Sequence, residues 1–405
     1  MKWPVRPLSA VAEVRLGRQR APKNHSGDSM RPYIRAANVT WAGLNLNDVK
    51  SMNFTDEELD TYRLQPGDIV LGEASGSPGE VGKPALWSGE IADCAFQNTL
   101  IRVRPREHEP KFLLHYFRYQ ALTGRFIEHS RGVGIHHLGR ARLASWPTPV
   151  PPLDEQRRIV DLLEDHLSRL DAAEAYMDNG FRRIEAMRGS VLASLYTGDR
   201  SQLRTLAVDA GYGTSTKCSA DGTGIPVVRI PNLVNGCIDL SDEKRVVESD
   251  MNMTKYLLSP GDVLIVRTNG SVDLIGRSAV VQSGIDAAFA SYLIRYRVRN
   301  ELVRPQWVHA MLRSPQIRAR IVALAASSAG QHNLSLAKLD SLELPVPSLA
   351  VQDAGLAHLT EIEGEMSRLA NTLAATRTRA RTLRSSLLAF AFGGRLIRQS
   401  RFRGG

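Results

Sequence analysis

The chain has 405 residues, 43% of them hydrophobic and 23% charged, which is the composition of a folded protein with room for two or more domains. No run reaches the roughly 18 uninterrupted apolar residues that a membrane-spanning helix needs, and the opening MKWPVRPLSAVAEVRLG has no continuous apolar core of the secretory kind, so a cytoplasmic protein is expected. Cys94, Cys218 and Cys237 are the only cysteines and show no CxxC spacing, which argues against a disulfide framework or a zinc ribbon. A formal charge of +10 suits a polyanionic partner. That charge is unevenly placed: residues 154–197 hold nine acidic and six basic side chains, and 350–397 hold four and six, so the excess lies mainly outside these two segments.

In chain order, residues 1–152 form a first domain with a basic opening, Arg15, Arg18, Arg20 and Lys23, able to follow a phosphate backbone. The runs DIVLGE and NTLIRVR, bounded by Gly, Pro, Ser and Asn, predict strands. KFLLHYFRYQALTGRFI spaces its apolar residues for a helix, so the domain is mixed α/β with a β-rich core. A proline-rich entry, PVPPLDEQ, leads into a long helix within 153–198, where 154–197 contain no proline. Leu163, Leu167, Leu170, Met177, Phe181, Ile184, Val191 and Leu195 follow alternating steps of four and three, a heptad seam.

The second half repeats the first. PVPPLDEQ at Pro149 returns as PVPSLAVQ at Pro345, a shift of 196, which also pairs Gly134 with Gly330, His136 with His332, Arg188 with Arg384, Leu192 with Leu388 and Gly198 with Gly394. A shift of 194 pairs Arg35 with Arg229, Asn38 with Asn232 and Pro66-Gly67-Asp68 with Pro260-Gly261-Asp262. The second domain therefore spans 199–348, a second long helix 349–397 and a basic tail 398–405. The second seam offers Leu359, Met366, Ala370, Leu373, Ala380, Leu387 and Ala391. Two such helices in one chain can pair as an antiparallel coiled coil; some 44 residues make a rod of about 66 Å.

Two similar but unequal domains held by a helical rod suit an extended ligand with an asymmetric, bipartite target, and duplex DNA is such a ligand. Positions shared by both copies, Arg35/Arg229, Asn38/Asn232 and His136/His332, cannot by themselves encode two different half-sites, and suit phosphate contacts or structural hydrogen bonds. Base choice should come from loops that differ: GEASGSPGEVGK against VRTNGSVDLIGR, and RGVGIHH against SAGQHN. The candidates are Ser75, Ser77, Lys83 and His137 in the first domain, and Arg267, Asn269, Ser271, Gln331 and Asn333 in the second, because Arg pairs well with guanine and Asn or Gln with adenine, while Lys217 belongs to the less basic counterpart of the opening, a backbone-contact candidate.

An enzyme is the first rival. The chain lacks an Asn-Pro-Pro-aromatic tetrapeptide, a GxGxxG fingerprint, HExxH and GxSxG. Gly76 to Lys83 has five residues between its glycines where a phosphate loop has four, and Pro84 stands where the hydroxyl residue belongs. The second rival is a tandem protein-binding scaffold without DNA specificity, which shares the architecture.

The order of variable domain, PxPPLxEQ-like entry, long helix, second variable domain and second long helix resembles the specificity subunits of type I restriction-modification systems. The likeness covers the whole chain and is strongest at Pro149–Gln156, at Gly134–Leu138 with Gly330–Leu334, and at the helix-end turns SLYTGDR and AFAFGGRL. The second entry departs from the pattern, with Ala350 and Val351 in place of Asp154 and Glu155, which is expected to weaken the start of that helix. The resemblance implies a non-catalytic chain that binds no cofactor or metal itself. It implies two methyltransferase subunits around the helices, with Leu163, Leu170, Met177, Phe181, Ile184, Leu359, Met366 and Leu373 as subunit-interface candidates. Restriction subunits would complete the complex, and S-adenosylmethionine, ATP and Mg would belong to the partners.

Overall fold

The computed structural model describes residues 3–128, 134–247, 252–328 and 331–393. The tail 398–405 and the repeat positions Gly330 and Gly394 lie outside them. The fold is mixed α/β and divides into two units, Met1–Met177 with Ala375–Gly405, and Asp178–Ala374. Both boundaries fall inside the long helices, so each unit owns one mixed α/β domain and part of each helix.

In the first unit a four-stranded antiparallel sheet runs, in spatial order, Ala12–Leu16, Leu100–Pro105, Ile69–Gly72, Pro84–Leu86. The central strand Ile69–Gly72 reads as a continuous apolar run because both its faces are buried, and successive side chains point to opposite faces. Ile69, Leu71, Ile101 and Val103 join Phe112, Leu113 and Phe117 of the helix Pro110–Leu122 in one core. Val70 and Leu100 face the other way, into a core with Ile34, Trp87 and Phe96. A three-stranded sheet, Ala95–Phe96, Met30–Ile34 and Lys50–Asn53, lies beyond the second core.

The second unit repeats this plan. Ala207–Tyr212, Leu293–Val298, Val263–Val266 and Ser278–Val280 form its four-stranded sheet in the same order. Val263, Ile265, Ile294 and Tyr296 meet Trp307 and Val308 of the helix Pro305–Arg313, while Leu264, Val266 and Leu293 face a core with Val228 and Phe289. Each domain is closed by a strand pair that joins its start to its end, Val5–Pro7 with Pro147–Pro149 and Arg200–Gln202 with Glu343–Pro345.

The long helices are Leu153–Ser194 and Leu349–Phe392. In the first unit Leu163, Leu167 and Leu170 share a core with Leu387, Leu388 and Ala391, and Arg384 bonds Asp171. In the second, Leu192 and Leu195 share a core with Leu356 and Leu359, and Arg188 lies 4.0 Å from Glu363. Residue numbers rise on one helix as they fall on the other, so the pairing within each unit is antiparallel. Arg384 and Arg188, which interrupt the apolar seams, each approach a carboxylate of the opposite helix. At Gly180 a Cβ would sit 2.9 Å from Leu373 Cδ1, so the missing side chain admits that leucine.

The entry motif has a structural task. Gln156, 1% exposed, accepts from Glu109 N at 2.9 Å and donates to Pro151 O at 2.9 Å. Gln352, 0% exposed, accepts from Arg304 N at 2.8 Å and donates to Leu302 O at 3.0 Å and Pro347 O at 2.8 Å. One buried amide in each copy thus ties the start of a long helix to the start of the domain helix beside it. The second helix starts at Leu349 without acidic residues in its first turn. The Gln352 clamp and a two-pronged Arg304–Asp353 ion pair, at 2.8 and 2.9 Å, anchor it.

Candidate nucleic-acid interface

Several of the residues shared by both copies are internal props. Asn38 is buried; its Oδ1 accepts from Arg35 N at 3.0 Å, and its Nδ2 donates to Asn45 O at 2.9 Å and Asp48 O at 3.1 Å. Asn232 repeats the pattern with Arg229 N at 2.9 Å, Asp239 O at 2.9 Å and Asp242 O at 3.1 Å. Both amides are fully engaged in shaping a loop, the structural alternative for these positions. Arg35 and Arg229 pair with Asp48 at 2.6 Å and Asp242 at 3.0 Å.

The turn acids Asp68 and Asp262, each 1% exposed, receive a guanidinium in two-pronged fashion from Arg104 and Arg297 at 2.7–2.8 Å. Arg102 and Arg295, on the same strands, are buried against Phe96 and Phe289, with their charges met by Glu13 and Asp209. Sequence reading overlooked these strand arginines, although their spacing of 193 marks them as a repeated pair.

The loops that differ converge on one strand pair in each unit. His136 lies opposite Ser75 and His137 opposite Ala74, and Leu138 N bonds Glu73 O at 2.7 Å. In the second unit His332 lies opposite Asn269 and Asn333 opposite Thr268, and Leu334 N bonds Arg267 O at 2.8 Å. Ser75 Oγ accepts from Ser77 N at 3.0 Å and Asn269 Oδ1 from Ser271 N at 2.9 Å, which builds the same turn in both. Ser77, Ser271 and Gln331 are exposed beside these ladders. Lys83 pairs with Glu80, which also accepts from Trp41 Nε1 at 2.9 Å, so its charge is met locally.

The basic opening of the first domain divides. Arg18 is buried, bonded to Glu58 at 2.7 Å through both carboxylate oxygens, and stacked 4.6 Å over the Phe54 ring. It holds the fold together and is not free to follow a backbone. Arg15 pairs with Glu13 at 2.8 Å, Arg20 bonds His25 at 2.9 Å, and Lys23 is exposed.

In the second unit, Lys217, Arg229, Asn269 and Gln331 line one cleft of about 930 Å³ together with Lys244, Arg277 and Tyr292. No carboxylate is among its lining residues, so four cations face one open space. That arrangement suits a phosphate backbone, and the amides and the half-exposed Tyr292 suit base edges. Lys244, Arg277 and Tyr292 were missed, yet Lys244 and Arg277 have basic counterparts, Lys50 and Lys83, at the shift of 194.

The seam candidates turn inward. Leu163, Met177, Ile184, Leu359 and Met366 are at most 5% exposed, and Leu170, Phe181 and Leu373 are half-buried; Leu163 and Leu170 join the core of the first unit and Leu359 that of the second. Burial leaves these side chains little surface of their own to offer a partner subunit. The large apolar side chains the helices leave exposed are Leu153, Leu162, Tyr176 and Leu383 in the first unit and Met187, Val351 and Leu369 in the second. Among the described residues no group of three or more His, Cys, Asp or Glu is placed to hold a metal, and no helix is long and apolar enough to cross a membrane.

Comparisons with known proteins agree with this duplicated architecture. Residues 1–175 match the family model described as the type I restriction modification DNA specificity domain. The type I restriction enzyme StySPI specificity subunit of Salmonella potsdam is 24% identical over 98% of this chain and 90% of its own length. The EcoKI specificity subunit of Escherichia coli K12 is 23% identical over the same shares. Among solved structures, a chain reported under "Structural basis underlying complex assembly and conformational transition of the type I R-M system" superposes with a TM-score of 0.74 at 19% identity, covering 97% of this chain and 98% of that one. The HsdS subunit from Thermoanaerobacter tengcongensis has the same fold, with a TM-score of 0.52 at 19% identity and 97% coverage of both chains. Over nearly its whole length the chain is similar to type I restriction enzyme specificity subunits, a family that is non-catalytic.

Proposed function

We propose that this chain is the sequence-specific DNA-recognition subunit of a type I restriction-modification complex, in which each unit reads one half of an asymmetric bipartite site. The observation that carries the reading is the pair of matched modules. Buried props such as Asn38/Asn232 and Asp68/Asp262 are repeated, while the ladder keeps His136/His332 in common and differs at Ser75/Asn269 and His137/Asn333. A scaffold that bound two identical partners would have no use for that difference, and the protein-scaffold alternative is not favoured.

In this reading methyltransferase and restriction subunits, carrying adenine methylation and ATP-dependent cleavage with S-adenosylmethionine, ATP and Mg, are directed to the site by this chain. The exposed apolar side chains of the paired helices, Tyr176 and Leu383 in one unit and Met187 and Leu369 in the other, supply their docking faces. The complex works in the cytoplasm. The test is to purify the chain with its methyltransferase partner and map methylated adenines in genomic DNA. Methylation confined to one asymmetric two-part motif is the expected result, and methylation without a motif sinks the reading.

A further inference from the structure

The two ladders place opposite chemistries at one equivalent spot. In the first unit the residue whose carbonyl accepts from Leu138 N is Glu73, and the ladder residue beside Leu138 is His137. In the second unit the same two places hold Arg267 and Asn333. The ladder position is equivalent, but the carboxylate acceptor Glu73 has given way to the guanidinium donor Arg267. His137 Nδ1 lies 3.2 Å from Glu73 Oε1 and 3.1 Å from Oε2, with His137 61% and Glu73 18% exposed. The histidine thus holds the carboxylate on the open side of the ladder and occupies at most one lone pair of each oxygen. Arg267 is held differently, its guanidinium 4.8 Å over the Tyr212 ring and bonded to Ser291 O at 3.3 Å.

We propose that Glu73, oriented by His137, is a specificity-determining residue of the first unit that accepts a hydrogen bond from the exocyclic amino group of a cytosine, while Arg267 and Asn333 present donors to a purine edge at the matching place in the second unit. The proposal rests on the DNA-recognition reading above. A carboxylate repels phosphates, so at a DNA surface it is useful only where it meets a base donor, and the amino group of cytosine is its favoured partner. Among the described residues the only basic side chain in ion-pair contact with Glu73 is His137, whereas Asp68, Glu13 and Glu58 each hold an arginine.

The test is selection from a randomised duplex library by the full-length chain, comparing wild type, Glu73→Ala and the double variant Glu73→Arg/His137→Asn. Wild type is expected to enrich a two-part motif. Glu73→Ala relaxes one position of one half by roughly 5- to 150-fold, the worth of one good base contact. The double variant exchanges the preference at that position for a purine. In both, the other half-site stays as in wild type, which shows that the chain is folded. Variants that enrich the wild-type motif unchanged overturn this assignment and leave the function standing; a wild-type chain that enriches no motif overturns the function and this assignment with it.

Discussion

Replacing Gln352 with leucine keeps the volume of the side chain and removes its hydrogen bonds. Three part-buried groups then lose their partners: the Arg304 N–H and the Leu302 and Pro347 carbonyls, bonded at 2.8 to 3.0 Å in the native chain. Each stranded buried group costs about 1–3 kcal/mol, so Gln352→Leu should destabilise the second unit by at least about 3 kcal/mol. Gln156→Leu strands only two, the Glu109 N–H and the Pro151 carbonyl, and should cost about 2 kcal/mol. Hydrogen exchange resolved by peptide reads both, because each loss falls first on the neighbouring domain helix, Pro305–Arg313 or Pro110–Leu122. The reasoning fails if Gln352→Leu lowers protection of the second unit by less than about 1 kcal/mol, or if Gln156→Leu proves the costlier change.

Asp262→Ala should destabilise the second unit by about 2–3 kcal/mol in denaturant titration, below the ~3–5 of a fully buried pair because Arg297 is 40% exposed. Lys217→Ala and Lys244→Ala should each reduce the slope of log affinity against log salt for random duplex by about 0.9, while Arg18→Ala, whose charge is held by Glu58, should leave that slope unchanged and cost stability instead. Burial holds His115 down to about 3 and His309 down to about 4, so both stay neutral in the fold but titrate near 6.5 when unfolded. Their folded values are depressed and the unfolded chain takes up more protons; stability should therefore fall as pH drops from about 6.5 toward these values, by up to about 1.4 kcal/mol per pH unit for each histidine. His115→Leu should flatten that fall for the first unit, and a denaturation series from pH 7 to 4.5 that shows no difference from wild type would count against it.

The duplication was legible because buried polar groups leave a mark that composition cannot. Asn38 and Asn232, Asp68 and Asp262, and Gln156 and Gln352 recur at fixed shifts since each bonds backbone groups in one geometry. The long helices and their seams were legible from apolar spacing. The role of Arg18 was not: an arginine in a basic run looks like surface, and its burial depends on Glu58, forty residues on. Nor was the firm start of the second helix, which rests on the distant Arg304 in place of a local acidic pair. Glu73 was passed over because a basic chain directs attention to donors.

The division between repeated and divergent residues follows from their surroundings. A carboxylate that is 1% exposed, like Asp68 or Asp262, must keep a guanidinium at a set place, and losing either member strands the other. Glu73 and His137 at the ladder have water as an alternative partner, so exchanging them for Arg267 and Asn333 carries little cost in folding energy. The scaffold therefore separates two demands, with stability assigned to the buried clamps and sequence choice to the rim. One half-site can then change while the other, and the fold beneath both, stays as it was.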